Sequence, residues 1–184
     1  SLPKGEKMDL IVRQAAEGAV AEIVPFASEF STVRNNKVGR QKFSRWERII
    51  KEARQQSGST MATTIRPPLS MDELFAYWEQ IKTHNTQGVL GLLFHHLPLA
   101  NESLHRYLSN SPKIVVLAIG PEGGFSPVEA ERFLAAGFKP FTMAGTILRT
   151  ETAALYAQAA VRTLLMEKDS WETKQQLIKQ IKNV

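Results

Sequence analysis

Two glycine-containing loops hold the residue types best suited to chemistry in this 184-residue chain. The first loop, 120–124, contains the carboxylate Glu122, and the second, 144–152, contains Arg149 beside Glu151. A guanidinium is a fixed cation whose planar donors suit carbonyl oxygens. Glycines let a backbone approach a ligand closely, but they also serve tight turns that bind nothing. The loops alone leave both readings open.

Each loop follows a predicted strand. The apolar run 114–119 predicts a buried strand that enters the first loop, and 138–143 predicts a short strand that enters the second. Ser126, Pro127 and Glu129 suit the N-cap, the first position and the capping-box position of an intervening helix. Open α/β sheets bind ligands outside the carboxyl ends of their strands. Both loops are therefore expected where such a sheet would hold a ligand.

Strands and helices alternate along the rest of the chain, which predicts an α/β fold with a mainly parallel sheet and flanking helices.

His95 and His96 follow a predicted strand, and a loop is favoured there. Adjacent histidines make a poor pair of metal ligands, so no metal site is expected. Small residues after Thr150 predict a helix that is buried or at an interface. The patterns predict strands at 22–26, 63–65 and 88–94, an extended piece at 29–33, and helices at 9–20, 71–82, 101–108, 150–167 and 171–181.

The most basic part of the chain is 34–54, where Glu47 and Glu52 are the acidic residues. Its second half has apolar residues at helical spacing, among them Trp46, which predicts a helix with a buried face. The charged face permits two readings, a solvated surface or contact with RNA phosphates, to which Lys and Arg contribute affinity rather than sequence choice. The basic residues are Arg34, Lys37, Arg40, Lys42, Arg45, Arg48, Lys51 and Arg54.

Composition narrows the possible functions. The formal net charge of +5 favours a polyanionic partner. The sequence has no cysteine, which excludes disulfides, cysteine zinc sites and a thiol nucleophile. The apolar runs are too short to span a bilayer, and no signal peptide opens the chain, so a cytoplasmic protein without a membrane partner is expected. Neither a P-loop nor a Gly-x-Gly-x-x-Gly motif occurs.

Four segments resemble the motifs of one family. Ile-Gly-Pro-Glu-Gly-Gly-Phe-Ser at 119–126 and Ile-Leu-Arg-Thr-Glu-Thr-Ala-Ala at 147–154 are similar to the signature loops of SPOUT methyltransferases. With 2–9 and 55–58, they resemble, in family order, ribosomal RNA small subunit methyltransferase E. The resemblance implies methylation of N3 of a uridine in 16S ribosomal RNA with S-adenosylmethionine as cofactor. It also implies a cytoplasmic homodimer that acts on an assembled small subunit, and a C-terminal trefoil knot.

The resemblance also implies roles for individual residues. Arg149 would stabilise charge on the uracil oxygens, or else form an ion pair with Glu151 or Glu122. Glu122 would accept a proton, hold the charged end of the cofactor, or cap backbone donors of its own turn. Arg34, Arg40 and Arg149 would contact the RNA. Cofactor contacts are implied for Phe94, Ile119, Gly120, Pro121, Glu122, Gly123, Gly124, Met143, Ala144, Gly145, Ile147, Leu148, Thr152 and Ala153.

The chain departs from the family pattern at two places and covers one part of it. The segment 16–19 reads Ala-Glu-Gly-Ala where the family usually has Thr-Glu-Leu-Gly, and Ser59 stands where the family usually has Arg. The family's N-terminal barrel, which resembles an RNA-binding PUA domain, is not within 1–184, so the chain is interpreted as a catalytic domain.

A noncatalytic RNA-binding module is the main alternative function. A nucleotide hydrolase would use the glycine turn as an anion site, but the metal carboxylates that it needs are not found.

Overall fold

The computed structural model describes residues 1–31, 38–85, 88–95, 102–142 and 146–182, with the backbone alone from residue 168. These residues form six helices and five strands. In chain order the elements are α1 (Lys7–Glu17), β1 (Glu22–Ile23), α2 (Arg40–Ser57), β2 (Thr64–Ile65), α3 (Met71–His84), β3 (Val89–Phe94), α4 (Leu104–Leu108), β4 (Ile114–Ile119), α5 (Pro127–Ala135), β5 (Lys139–Phe141) and α6 (Thr150–Lys182).

The strands form two parallel sheets, which confirms the predicted α/β class. The larger sheet has the order β4-β3-β5. Its register places Phe94, the last residue of β3, beside Ile119 on one side and Phe141 on the other. The smaller sheet pairs β1 with β2 and is extended by a parallel bridge between Phe26 and Leu69. Three strands of the larger sheet therefore end at the same edge.

Helices cover both faces of the larger sheet. Consecutive side chains of a strand point to opposite faces, and in β3 Leu92 packs with Ala157 and Val161 of α6, whereas Leu93 packs with Phe133 of α5. Both leucines are completely buried. Gly91 of β3 helps to fix the register and hence the level at which the neighbouring strands end, because a Cβ at its position would lie 2.8 Å from the Phe138 ring and a slip of one residue would place a leucine there.

A third apolar cluster joins α1 to α2. Trp46 is fully buried in it, as its helical spacing predicts. The buried carboxylate of Asp9 on α1 accepts hydrogen bonds from Arg45 Nε at 2.7 Å and from Trp46 Nε1 at 3.0 Å. These two bonds fix the rotation of α2, so its opposite face is turned to solvent.

Some predicted boundaries were wrong. The strand predicted at 22–26 is two residues long, because Pro25 has no N–H with which to continue the ladder. Residues 28–31 form a turn rather than an extended piece, and the amide of Ser31 donates to the carbonyl of Ser28. Residues 32 and 33 lie outside the described part.

The C-terminal helices also differ from the prediction. The two helices predicted at 150–167 and 171–181 form one continuous helix, α6. No glycine or proline lies between the two predicted segments to end the first one. The burial of Ala157 and Val161 confirms that this helix is partly buried. Within the described residues, no helix is both long enough and apolar enough to cross a membrane.

Candidate active site

A cavity of about 220 Å³ lies at the edge where the three strands of the larger sheet end. Phe94, Ile119 and Phe141, which the register aligns, all line it. Both glycine-containing loops contribute to its wall. The lining residues are Phe94, His95, Ile119, Gly120, Pro121, Glu122, Gly123, Gly124, Phe125, Phe141, Thr146, Ile147, Leu148, Thr150 and Ala153.

The structure brings most of the predicted cofactor residues together around this cavity. Of the remainder, Thr152 is partly buried on α6 and does not line it, and Met143, Ala144 and Gly145 lie outside the described residues. The predicted residues that line the cavity are Phe94, Ile119, Gly120, Pro121, Glu122, Gly123, Gly124, Ile147, Leu148 and Ala153.

Sequence reasoning missed several lining residues. Phe141 and His95 stand at or just after strand ends, and only the three-strand register shows that they meet. Phe125, Thr146 and Thr150 lie inside or beside the loop motifs. Cofactor contacts were predicted for neighbouring residues of these motifs but not for these three. His95 is buried, and its amide donates to the carbonyl of Phe141, so it is part of the wall rather than a mobile rim.

The glycines of the first loop shape a tight turn. Gly124 has a φ of 73° and donates to the carbonyl of Pro121 at 2.9 Å. A Cβ on Gly120 would lie 3.1 Å from the backbone carbon of Gly124, and a Cβ on Gly123 would lie 3.0 Å from the Cβ of Phe30. Close packing of the protein against itself therefore accounts for the glycines at 120 and 123. The three glycines of the loop also line the cavity, and contact of their backbone with a ligand stays a prediction.

The end of this loop is held by the predicted capping box of α5. Ser126 Oγ accepts from the amide of Glu129, and Glu129 Oε2 accepts from the amide of Ser126 at 3.0 Å. The other carboxylate oxygen of Glu129 accepts from the amide of Glu29 at 2.8 Å. The buried carboxylate therefore ties the loop to the segment after β1.

Lys7 joins both loops to the start of α1. Its Nζ lies 2.7 Å from Glu122 Oε1 and 3.6 Å from Glu151 Oε2. Glu122 Oε1 also accepts from the amide of Lys4 at 3.2 Å. Among the described residues, Arg149 forms no ion pair with either carboxylate, so the ion-pair reading of Arg149 is not observed.

These contacts decide the ionisation of Glu122. Partial burial opposes its ionisation, but hydrogen bonds from Lys7 and from the amides of Glu122 itself and Lys4 outweigh burial and lower its pKa. The hydrogen bond to Glu122 likewise raises the pKa of Lys7. Glu122 is therefore an anion at neutral pH and a weak base. It is better suited to attract a cation than to remove a proton from a weak acid.

Thr150 lines the cavity and carries a hydroxyl without a hydrogen-bond partner among the described residues. The residue is 4% exposed, and its Oγ1 is buried. It therefore does not cap α6, at whose first position it lies. An unpaired buried hydroxyl costs about 1–3 kcal/mol, so a ligand that bonds to it would recover that free energy. With the rings of Phe94, Phe125 and Phe141, the cavity offers apolar walls and a few polar groups, which is typical of small-molecule sites.

The two predicted RNA-contact residues that the structure describes, Arg40 and Arg149, do not line the cavity. Arg149 is exposed in the second loop, and its carbonyl accepts from the amide of Ala153. Arg40 is exposed at the first position of α2. Arg34 lies outside the described residues. No group of three or more His, Cys, Asp or Glu side chains within the described residues could hold a metal ion.

Comparison with known proteins identifies the class. The family model described as "RNA methyltransferase domain" matches residues 1–162, and the chain belongs to this family. Ribosomal RNA small subunit methyltransferase E from Synechocystis sp. is 31% identical over 165 residues, which are 90% of this chain and 52% of that protein. The chain thus spans about half the length of this relative.

Solved structures agree with this assignment. Ribosomal RNA small subunit methyltransferase E from Neisseria gonorrhoeae, crystallised with S-adenosyl methionine, is 28% identical with a TM-score of 0.74, over 89% of this chain and 63% of the other. The SpoU methyltransferase AviRb from Streptomyces viridochromogenes, in complex with AdoMet, is 14% identical with a TM-score of 0.57, over 92% of this chain and 58% of the other. The second likeness shows the fold alone, which is the SPOUT methyltransferase type of α/β fold.

The Lys7 contacts predict a measurable change in Glu122. In Lys7→Met, the pKa of Glu122 should rise, because burial then acts without the opposing ammonium. Since the wild-type pKa is lowered, the pair stabilises the fold above the ordinary carboxyl pKa of about 4.3. The stability difference between the two proteins should therefore be lost as the pH falls below that ordinary value and through the lowered pKa of Glu122. Carboxyl-carbon NMR titration and urea unfolding at several pH values measure the two effects.

Lys4→Met is the matched control, because it removes the same charge nearby and keeps the amide that bonds to Glu122. It should leave the pKa of Glu122 almost unchanged. Equal pKa values for Glu122 in wild type and Lys7→Met would contradict the contact.

Proposed function

We propose that the protein is an S-adenosylmethionine-dependent methyltransferase that acts on N3 of a uridine in 16S ribosomal RNA. The proposal places it in the cytoplasm, where its substrate would be the assembled small subunit. The observation that carries it is the cavity itself, since two loops that resemble family signatures meet at the ends of three parallel strands. Membership of the RNA methyltransferase family and the likeness to ribosomal RNA small subunit methyltransferase E support it.

The residues present fit this cofactor. When bound, S-adenosylmethionine supplies an electrophilic methyl group on a sulfonium cation. The rings of Phe94, Phe125 and Phe141 provide apolar walls for its adenosine. The hydroxyl of Thr150 lacks a partner that a polar group of the ligand would supply. The anionic Glu122 favours a cationic ligand through its charge.

Arg149 is the proposed substrate group. N3 of uridine is a poor nucleophile until it loses its proton, and negative charge then develops on the neighbouring carbonyl oxygens. The exposed guanidinium of Arg149 stands in a loop that lines the cavity, without an ion pair to Glu122 or Glu151. It is therefore available to donate hydrogen bonds to those oxygens.

Thr150→Val tests the cofactor site. Valine has nearly the shape of threonine but no hydroxyl. S-adenosylmethionine should bind about 5- to 150-fold more weakly, which corresponds to about 1–3 kcal/mol for its unpaired polar group. The free energy of unfolding without ligand should not fall, because no hydrogen bond within the protein is lost. Isothermal titration calorimetry and urea unfolding measure the two quantities.

Thr150→Ser keeps the hydroxyl and serves as the control, so its affinity should remain near that of wild type. Full affinity in Thr150→Val would exclude a hydrogen bond between this hydroxyl and the cofactor. If wild type binds RNA and no cofactor, the noncatalytic RNA-binding module becomes the better reading.

Arg149→Lys tests the role of the guanidinium. Lysine keeps the charge but cannot reproduce the planar fork of donors. The single-turnover methylation rate at saturating cofactor and RNA should fall by about 10²–10³, as expected for loss of one well-placed oxyanion donor. Cofactor affinity and the melting temperature should change little. A wild-type rate would exclude a specific guanidinium role, and a lower melting temperature with weaker cofactor binding would indicate a structural one.

We also propose a homodimer built partly on α6. One side of this helix is buried at Ala157 and Val161, while Tyr156 and Met166 are more than half exposed, and closed twofold dimers are the commonest oligomers. The family resemblance that implies the dimer also implies a C-terminal trefoil knot. We include this knot in the proposed structure of the protein.

Tyr156→Glu tests the dimer, because a charge placed in an apolar contact should shift the protein towards monomer. Light scattering at micromolar concentration measures the mass of each variant. Val128→Glu, at an exposed apolar position on α5, is the control and should leave the mass unchanged. A monomeric wild type would contradict the proposal.

A further inference from the structure

We propose that the solvent face of α2 is a phosphate-binding surface for the RNA strand that carries the target nucleotide. This inference rests on the proposed function and adds a location for the sequence-independent part of RNA binding. The surface is defined by three exposed cations, Arg40, Arg48 and Lys51, and is called the α2 stripe below.

Helical spacing puts the three cations on one side of α2. They stand at i, i+8 and i+11, and the exposed Ser44 and Gln55 lie in the same row at i+4 and i+15. Glu47, at i+7, is an exposed carboxylate on this side, so the side keeps an excess of two positive charges. From Arg40 to Lys51 the row is about 16 Å long at 1.5 Å per residue. One strand of a duplex carries a phosphate about every 3.4 Å along its axis, so the row is long enough for several phosphates.

Two other cations of α2, Lys42 and Arg45, already have contacts within the protein, and the third, Arg54, is partly buried and does not belong to the stripe. Arg45 is held by Asp9 at 2.7 Å, and Lys42 Nζ lies 5.8 Å from the centre of the Trp46 ring. By contrast, Arg40 and Lys51 form no ion pair among the described residues, and Arg48 has one partner, Glu52, at 3.6 Å with both side chains about two-thirds exposed. Such an exposed pair is weak and is screened by salt, so phosphates would compete for Arg48.

The chemistry of the stripe fits a phosphate backbone better than a membrane or a protein. The described part of α2 exposes no large apolar side chain. A helix that lies on a lipid surface needs an exposed apolar face. A protein interface is expected to have apolar or aromatic residues at its centre. A polar helix face with an excess of cations instead gives affinity without sequence choice, which is how proteins contact phosphates.

The stripe is tied to the cavity through α1. Asp9 fixes α2 by its bonds to Arg45 and Trp46, and Lys7, two residues earlier, fixes the loop that contains Glu122. The first turn of α1 therefore contacts both α2 and the cavity wall. An RNA strand bound on α2 would be held in a defined position relative to the methyl donor, so the stripe would contribute to affinity and orientation, not to chemistry.

The test compares two double variants that remove the same charge. Arg48→Gln with Lys51→Gln alters the stripe. Arg106→Gln with Lys113→Gln alters exposed cations elsewhere, and Arg106 has a similar pair with Glu102 at 3.4 Å. The affinity of the 184-residue protein for in vitro transcribed 16S ribosomal RNA is measured over a range of KCl concentrations. Cofactor affinity is measured on the same samples to establish that the cavity is intact.

The stripe variant should flatten the slope of log K against log salt by about 1.4, since each lost contact to a single strand contributes about 0.7. Its KM for RNA should rise, while kcat at saturating RNA and the affinity for S-adenosylmethionine stay unchanged. The control variant should keep the wild-type slope. The charge-conserving double variant Arg48→Lys with Lys51→Arg should also keep the wild-type slope, because contact with phosphates depends on charge.

Equal slopes for wild type and the stripe variant would overturn the proposal, and so would equal losses in the stripe and control variants, which would indicate a general charge effect. These outcomes are separable from failure of the proposed function. If wild type transferred no methyl group to RNA, the proposed activity would fail, whereas the salt slopes would still test the stripe.

Discussion

The in-register pairing of β3 with both neighbours is the constraint on which the site depends. Because Phe94 pairs with Ile119 and Phe141, three strands end at one level, and the loops that follow them must meet. The close approach of the Phe138 ring to Gly91 helps to hold this register, since a slip of one residue would place a leucine where a Cβ would already lie 2.8 Å from that ring. The position of the cavity is thus decided by packing in the middle of the sheet, away from the residues that line it.

Electrostatics then joins parts of the chain that the sheet does not connect. Lys7 and Glu122 are 115 residues apart in sequence, yet their ion pair places α1 against the first loop, and the same ammonium reaches the start of α6. One ammonium thus contacts a carboxylate on each loop. The basic α2 packs on the same helix, α1, through the bonds of Asp9 to Arg45 and Trp46. A single helix therefore contacts both the cavity wall and the most basic helix of the described residues.

Local patterns predicted the local structure well. The capping box at Ser126 and the buried face of α2 follow from spacing within a few residues, and both are present. The sequence also indicated which loops form the site, because strand ends and glycines are visible in it. It did not indicate Lys7 as the partner of Glu122, or the unpaired hydroxyl of Thr150, because both depend on contacts between distant segments.

The contact of Lys7 with residues on both loops bears on biosynthesis. A ribosome delivers the N-terminal part first, so α1 and α2 can pack on each other while most of the larger sheet is still unmade. Glu122 and then Glu151 emerge much later, and each must find an ammonium that has been in place since the start. A nascent chain that lacks the beginning of α6 has an incomplete cavity wall. The cavity wall is thus complete only once the chain has been translated through Ala153.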